Sequence, residues 1–222
     1  MRILGLFAKE PRAGLVKTRL AAETSPDWAA GVASAFLLDT VERLARIDAV
    51  RILAFTPSAA HRYFADVCQG RFRLVSQTDG DLGRRMAVFF EEQFQAGAAA
   101  VVLVGTDSPT LPLPFILQAF QELERADVVI GPSTDGGYYL LGCGHRLPPL
   151  FEGIPWSTSL VLSSTMAALQ DSECRLALLP PWYDVDTLDD WRMLQGHVAA
   201  QRRAGIDPDV PHTERLLQDQ LP

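Results

Sequence analysis

Ala99-Ala100-Val101-Val102-Leu103-Val104, running straight into Gly105-Thr106-Asp107-Ser108-Pro109, is the stretch on which the fold of this chain turns. The first six residues are apolar without alternation. That pattern predicts a strand buried on both faces, as in parallel sheets covered by helices. The next five are turn formers, with Pro109 fixing the backbone beyond the carboxylate. Open α/β sheets collect ligands outside the carboxyl ends of their strands, so Asp107 stands where a ligand would arrive.

The same pattern extends in both directions. Residues 3–7, 50–55, 72–75, 128–130, 138–141 and 175–179 are strand-length runs, and segments of helical period separate most of them. Ser25-Pro26-Asp27 predicts a helix start, a capping Ser preceding Pro at the first helical position. In that helix Trp28, Val32, Phe36, Leu37, Val41 and Leu44 share one face, which leaves Asp39, Glu42 and Arg43 for water. Further helices are expected over 61–67, over 83–95, from Pro112 and Pro114 to about residue 125, and over 159–169. Thr187 and Asp190 have capping-box spacing ahead of a last long helix ending near Ala204, with Asp in place of the usual Glu or Gln. In the tail, 206–222, residues 212–220 are expected to dock as a short helix. The class that follows is α/β, a mostly parallel sheet with helices on both faces. No repeat or low-complexity linker divides the chain, so one domain spanning 1–222 is expected.

Composition narrows the function. Hydrophobic residues make up 48% and charged residues 21%, close to globular averages. A net charge of -7 with a pI near 5.1 argues against a nucleic-acid surface and favours solubility. The apolar N-terminus meets Lys9, Arg12 and Lys17 too soon for a signal-peptide core or a spanning helix. Cys68, Cys143 and Cys174 are far apart and form no CxxC or Cys/His cluster, which argues against a disulfide framework or zinc and fits a reducing cytoplasm. His61, His145, His197 and His212 lack metal-ligand spacing. With no GxSxG elbow, a covalent nucleophile finds little support.

The chemistry gathers in a few segments. After the first strand, Lys9, Arg12, Lys17 and Arg19 surround Gly14 in one loop. Lys offers phosphate a point charge and Arg a bidentate fork, while Gly lets the backbone approach. The spacing matches neither a Walker A loop nor GxGxxG, and the other reading is a solvated basic loop. Asp107 is a hard ligand for Mg²⁺ or Mn²⁺, which take one or two carboxylates together with phosphates and water. A second carboxylate would come from Asp184 or Asp186, although Asp186 or Thr187 can equally cap the last helix. Asp135-Gly136-Gly137 is either a tight turn or a close backbone approach to ligand. Tyr138, Trp156 and Trp182 either stack on a base or sugar or simply pack. Gln77, Gly80, Asp81, Gly83 and Arg85 make a polar entry to a helix, for which an ordinary cap is the alternative.

In order and spacing these segments resemble a known family. Phe7-Ala8-Lys9 with Pro11 and Gly14, Lys17-Thr18-Arg19-Leu20, Gly80-Asp81-Leu82-Gly83, Gly105-Thr106-Asp107-Ser108-Pro109, Asp135-Gly136-Gly137-Tyr138, Trp156-Ser157-Thr158 and Asp184-Val185-Asp186-Thr187 are similar to small bacterial proteins of the glycosyltransferase-A type. These are nucleotide-diphospho-sugar transferases, some associated with arsenosugar biosynthesis. The resemblance implies a Rossmann-like nucleotide-binding sheet and a metal-dependent transfer of sugar from a nucleotide-sugar to a small-molecule acceptor. Phosphate and nucleotide contacts are then expected from Lys9, Gly14, Lys17, Arg19, Gln77, Asp81 and Arg85. Asp107 and Asp186 would hold Mg²⁺ or Mn²⁺, Lys17, Asp107 and Asp135 would act in catalysis, and Gly136, Gly137, Tyr138 and Trp156 would face the acceptor. Lys17-Thr18-Arg19-Leu20 and Asp184-Val185-Asp186-Thr187 are also similar to phospholactate guanylyltransferase and, more loosely, to molybdenum-cofactor guanylyltransferases. The glycosyltransferase Asp-x-Asp motif is reduced here to Asp107-Ser108-Pro109. Nucleotidyl transfer from a triphosphate, and nucleotide binding without catalysis, therefore stand as alternatives.

Overall fold

In the computed structural model, which describes residues 1–145 and 147–218, Val101 to Val104 are each at most 4% exposed. The absence of alternation in that run has a direct cause. Val102 and Val104 enter one core, and Val101 and Leu103 enter another on the opposite side of the sheet.

The elements run β1 (Arg2–Lys9), α1 (Thr18–Glu23), α2 (Pro26–Leu44), β2 (Val50–Thr56), α3 (His61–Cys68), β3 (Arg73–Ser76), α4 (Leu82–Gln95), β4 (Ala100–Val104), α5 (Leu113–Glu122), β5 (Val128–Pro132), β6 (Tyr138–Gly144), α6 (Val161–Leu169), β7 (Leu176–Leu178), α7 (Leu188–Arg203) and α8 (Pro211–Gln218). Seven strands form one sheet in the order β3-β2-β1-β4-β6-β5-β7. All neighbours are parallel except β6, which runs antiparallel to both β4 and β5. Leu37 and Val41 of α2, Phe64 of α3, and Ile116 and Phe120 of α5 cover one face. Met86, Phe89 and Phe90 of α4 and Leu169 of α6 cover the other. This is the expected α/β architecture. Among the described residues no helix is long and apolar enough to cross a membrane.

A third cluster lies outside the sheet, where Ala29, Val32 and Phe36 of α2 meet Trp191, Leu194 and Val198 of α7 and Val210 before α8. Trp191 stacks on Phe36 at 6.3 Å and meets Trp28 edge-on at 5.0 Å. The C-terminal helices thus bury a second stripe of α2, and this corrects one expectation. Asp39 is 0% exposed and Arg43 8%, so neither faces water. Asp39 accepts hydrogen bonds from Thr213 Oγ1 (2.6 Å) and from the backbone N–H groups of Thr213 (2.8 Å) and His212 (2.9 Å), the unpaired donors of the first turn of α8.

The helix expected from Ser25 is present, with Ser25 Oγ accepting from Trp28 N at 3.2 Å. An additional helix, α1, precedes it where a loop was expected. The tail helix forms over Pro211–Gln218, and the expected residues 219 and 220, like the tail end 219–222, lie outside the described residues.

Candidate functional site

Two segments meet beyond the end of β4. The first carries Asp107 in an exposed loop that is held from beneath. Arg43 donates to the carbonyls of Pro109 and Leu111, the latter at 2.8 Å, and Thr110 Oγ1 pairs with Tyr183 OH at 2.9 Å. The second is the extended stretch Trp182-Tyr183-Asp184-Val185-Asp186. Its Val185 N–H donates to the Asp107 carbonyl at 3.0 Å, and Trp182 pairs with Pro132 and Thr134. Side chains alternate along an extended chain. Tyr183 and Val185 therefore enter the third core cluster, while Asp184 and Asp186 turn the other way, into a cavity.

Asp186 is fixed by the helix that follows. Thr187 caps α7 in a complete capping box with Asp190, and Asp190 also accepts from the Asp186 N–H at 3.1 Å. Asp184 is held by Ser133 Oγ, which donates at 2.7 Å. Burial raises the Asp184 carboxyl above its ordinary value against that hydrogen bond, and the nearby Asp135 and Asp186 add to the rise.

Lys17 comes in from the other side. It is the N-cap of α1, with a left-handed backbone (φ 45°, ψ 48°) uncommon outside glycine. Its side chain is 3% exposed, and its ammonium contacts Asp107 and, at 3.1 Å, Asp186. Burial works to lower the ammonium's pKa, and the two carboxylates together outweigh it, so the group is held charged. Beneath it Nζ lies 5.3 Å from the centre of the Phe36 ring. Arg19, more exposed, reaches Asp186 at 3.6 Å.

Two cavities open on either side of this cluster and share Leu82, Gly105, Asp107, Tyr138, Tyr139 and Asp186. The first, of about 420 Å³, runs along β1 and β4 and includes Phe7, Lys9, Val16, Lys17, Gln77 and Met86. The second, of about 300 Å³, is more polar and includes Arg19, Ser133, Asp135, Gly137, Trp156 and Asp184.

Gly14, Asp81, Arg85 and Gly136 stand outside both linings. Asp81 caps α4, accepting from Arg84 N at 2.8 Å. Arg85 donates to Gly80 O and Gln77 Oε1, and Gln77 in turn donates to Ala54 O. Lys9 closes the basic loop by donating to Leu15 O at 2.6 Å. Asp135 accepts from Gly137 N at 2.8 Å, making the turn. At Gly136 (φ 91°) an added Cβ would lie 2.2 Å from Ser159 O, so the turn packs directly on the segment after Trp156. Ser133 is a lining residue the sequence did not single out, because it carries no spacing signal. Arg43 was hidden by its place on a seemingly polar helix face.

Two carboxylates from separate segments converging on one cation are a donor set of hard oxygens, which fits Mg²⁺ or Mn²⁺. Among the described residues no three His, Cys, Asp or Glu side chains group into a cage of protein ligands. The set therefore suits a cation whose shell is completed by phosphate and water.

Comparison with known proteins agrees with this architecture. A protein from Desulfovibrio desulfuricans G20, named as a candidate nucleotide-diphospho-sugar transferase, is 30% identical, with 98% of this chain and 96% of that chain covered and a TM-score of 0.86. A nucleotidyl transferase from Methanothermobacter thermautotrophicus shares the fold at 12% identity and a TM-score of 0.57, covering 90% of this chain and 99% of that one. So does a Mycobacterium tuberculosis H37Rv protein, Rv0371c, in complex with manganese, at 17% identity and a TM-score of 0.50, covering 87% and 98%. No curated protein matches the sequence. The model of a bacterial family, described as uncharacterized proteins conserved in bacteria (DUF2064), matches residues 38–158, more than half of the chain, and the chain belongs to that family.

Proposed function

We propose that this chain is a transferase that takes its donor group from an activated nucleotide, with a nucleotide-diphospho-sugar as donor and a small hydroxyl-bearing molecule as acceptor. The observation that carries the reading is the convergence of Lys17, Asp107 and Asp186 on the seam between two cavities. The larger, more apolar cavity suits the nucleoside, and the polar one suits the acceptor. Asp107 and Asp186 would hold Mg²⁺ or Mn²⁺. Such an ion, when bound, supplies a positive charge against the oxygens of the departing diphosphate. Lys17 and Arg19 add fixed positive charge on the same side, and the buried position of Lys17 strengthens its effect. Trp156 and the Asp135 turn bound the acceptor space. The 30% identical relative supports sugar transfer over other chemistries.

A second reading is favoured by one observation. The two carboxylates lie on separate segments, and Asp107-Ser108-Pro109 lacks the second acid of an Asp-x-Asp pair. That arrangement also suits a nucleotidyl transferase, in which a phosphorylated acceptor attacks the α-phosphate of a triphosphate and pyrophosphate leaves.

A thermal-shift panel of nucleoside triphosphates and nucleotide-sugars, with and without Mn²⁺, tests both, because a ligand selective for the folded state raises its apparent stability. Mn²⁺-dependent stabilisation by a nucleotide-sugar, with nucleoside diphosphate released on turnover, is the expected result. Stabilisation by triphosphates alone, with pyrophosphate released, would replace it by the second reading. Binding without turnover across acceptors would make the chain a nucleotide-binding protein.

A further inference from the structure

Lys17 does more in this geometry than face a phosphate. Its ammonium already lies against both carboxylates assigned to the divalent cation, and its side chain is almost wholly sealed while Asp107 remains 53% exposed. The floor under the ammonium is the ring of Phe36, which attracts a cation by its π face and has no lone pair to offer a metal. The left-handed backbone at Lys17 aims the side chain inward at some conformational cost, which the surrounding packing must sustain. A fixed positive charge touching two carboxylates lowers their joint attraction for a second cation, and burial makes that effect larger than it would be in water.

We infer that Lys17 is the built-in counter-ion of the Asp107–Asp186 pair, keeping the pair's affinity for a divalent cation low until nucleotide phosphates arrive to share the positive charge. Metal and nucleotide then bind as a unit, each strengthening the other by the same factor. Without nucleotide the ammonium already offsets one of the pair's two negative charges and holds both carboxylates in place. The inference rests on the assignment of Asp107 and Asp186 to a divalent cation in the proposed function, and extends it to the order in which the site fills.

The test uses Mn²⁺ alone, with no nucleotide, followed by calorimetry and by the electron-paramagnetic-resonance signal of the free ion. Wild type is expected to bind Mn²⁺ weakly, and Lys17→Met to bind it about tenfold more tightly or better, since a charge has been removed from between two hard ligands. Lys17→Arg keeps the charge and is expected to stay weak, which separates charge from packing. Lys17→Gln serves in place of Lys17→Met should that variant fold poorly by circular dichroism. Adding Asp107→Asn to the tight-binding variant should abolish the gain. A neutral Lys17 variant that is folded and binds Mn²⁺ no more tightly than wild type would overturn the inference. Failure of the proposed function would show separately, as the absence of any stabilising nucleotide for wild type.

Discussion

Asp39 and Arg43 sit one turn apart on α2, and the sequence gives both to water because they fall off the apolar stripe that faces the sheet. The structure buries them under a second layer that the local pattern cannot announce. Asp39 is the cap of α8, 173 and 174 positions away from its partners, and Arg43 grips the loop that carries Asp107. Burial raises the Asp39 carboxyl above its ordinary 3.8, more than its hydrogen bonds lower it. A folded-state pKa above the unfolded one means the folded chain binds the proton more tightly. This group's contribution is therefore complete below pH 3.8 and is lost as pH rises through the folded value. Asp39→Asn does not titrate there, so the stability of wild type relative to Asp39→Asn should fall as pH is raised above 3.8, measured by paired urea melts. A gap that stays constant or widens would contradict this assignment. Asp39→Ala, which strands the first donors of α8 in a buried place, should lose about 2–3 kcal/mol in the same melts. The resemblance had already assigned Lys17, Asp107 and Asp186 to one site, but their direct ion pairing was not legible, since 90 and 169 positions separate the charges and no local rule joins them.

Among the elements, the central strands β1, β4, β5 and β6 were legible because each is an apolar run buried on both faces, and the capping box of α7 because its two residues lie three positions apart in sequence. α1 was missed for a physical reason. It has six residues, too few to show a period, and it starts at a lysine in a left-handed conformation instead of at a Ser, Thr, Asp or Asn cap. The ends of α4 and α7 illustrate how ordinary caps serve the site. Asp81 caps α4, as the plainer reading of that segment had it. The box of α7 also orders Asp186 through Asp190. Thr187→Ala should cost about 1 kcal/mol of stability by removing the cap, while leaving the Asp190 bond to Asp186 able to form. Asp190→Ala should cost at least as much and also weaken Mn²⁺-dependent nucleotide binding, which calorimetry would register. Equal effects of the two on binding would argue that Asp190 does not orient Asp186. Gly136→Ala places a Cβ 2.2 Å from a backbone oxygen at a positive φ, so the turn must move away from Ser159. A loss of about 2 kcal/mol or more, by the same melts, is expected, and a neutral effect would show that the turn is free to shift.

The whole molecule joins a sheet read from its strands to a site assembled from both ends of the chain. Continuous apolar strands separated by helical segments required a covered, mostly parallel sheet, and the carboxyl ends of β1 and β4 then defined where a ligand could lie. The reversal of β6 was not legible, because a strand covered on both faces has the same apolar run in either direction. What closes the site is the return of residues 182–186 to the β4 loop, an extended stretch whose alternation puts two carboxylates on the ligand side. The Asp pair was suggested by residue type and position, whereas its cation partner and the division of space into two cavities needed the fold. The proposed function makes Asp107 part of a cation site that a nucleotide donor shares. It is tested most directly by titrating the donor chosen from the thermal-shift panel into wild type and Asp107→Asn, each with and without Mn²⁺. Mn²⁺ is expected to tighten donor binding by wild type by about tenfold or more, and Asp107→Asn to lose this gain while remaining folded. An undiminished Mn²⁺-dependent gain in Asp107→Asn would contradict it.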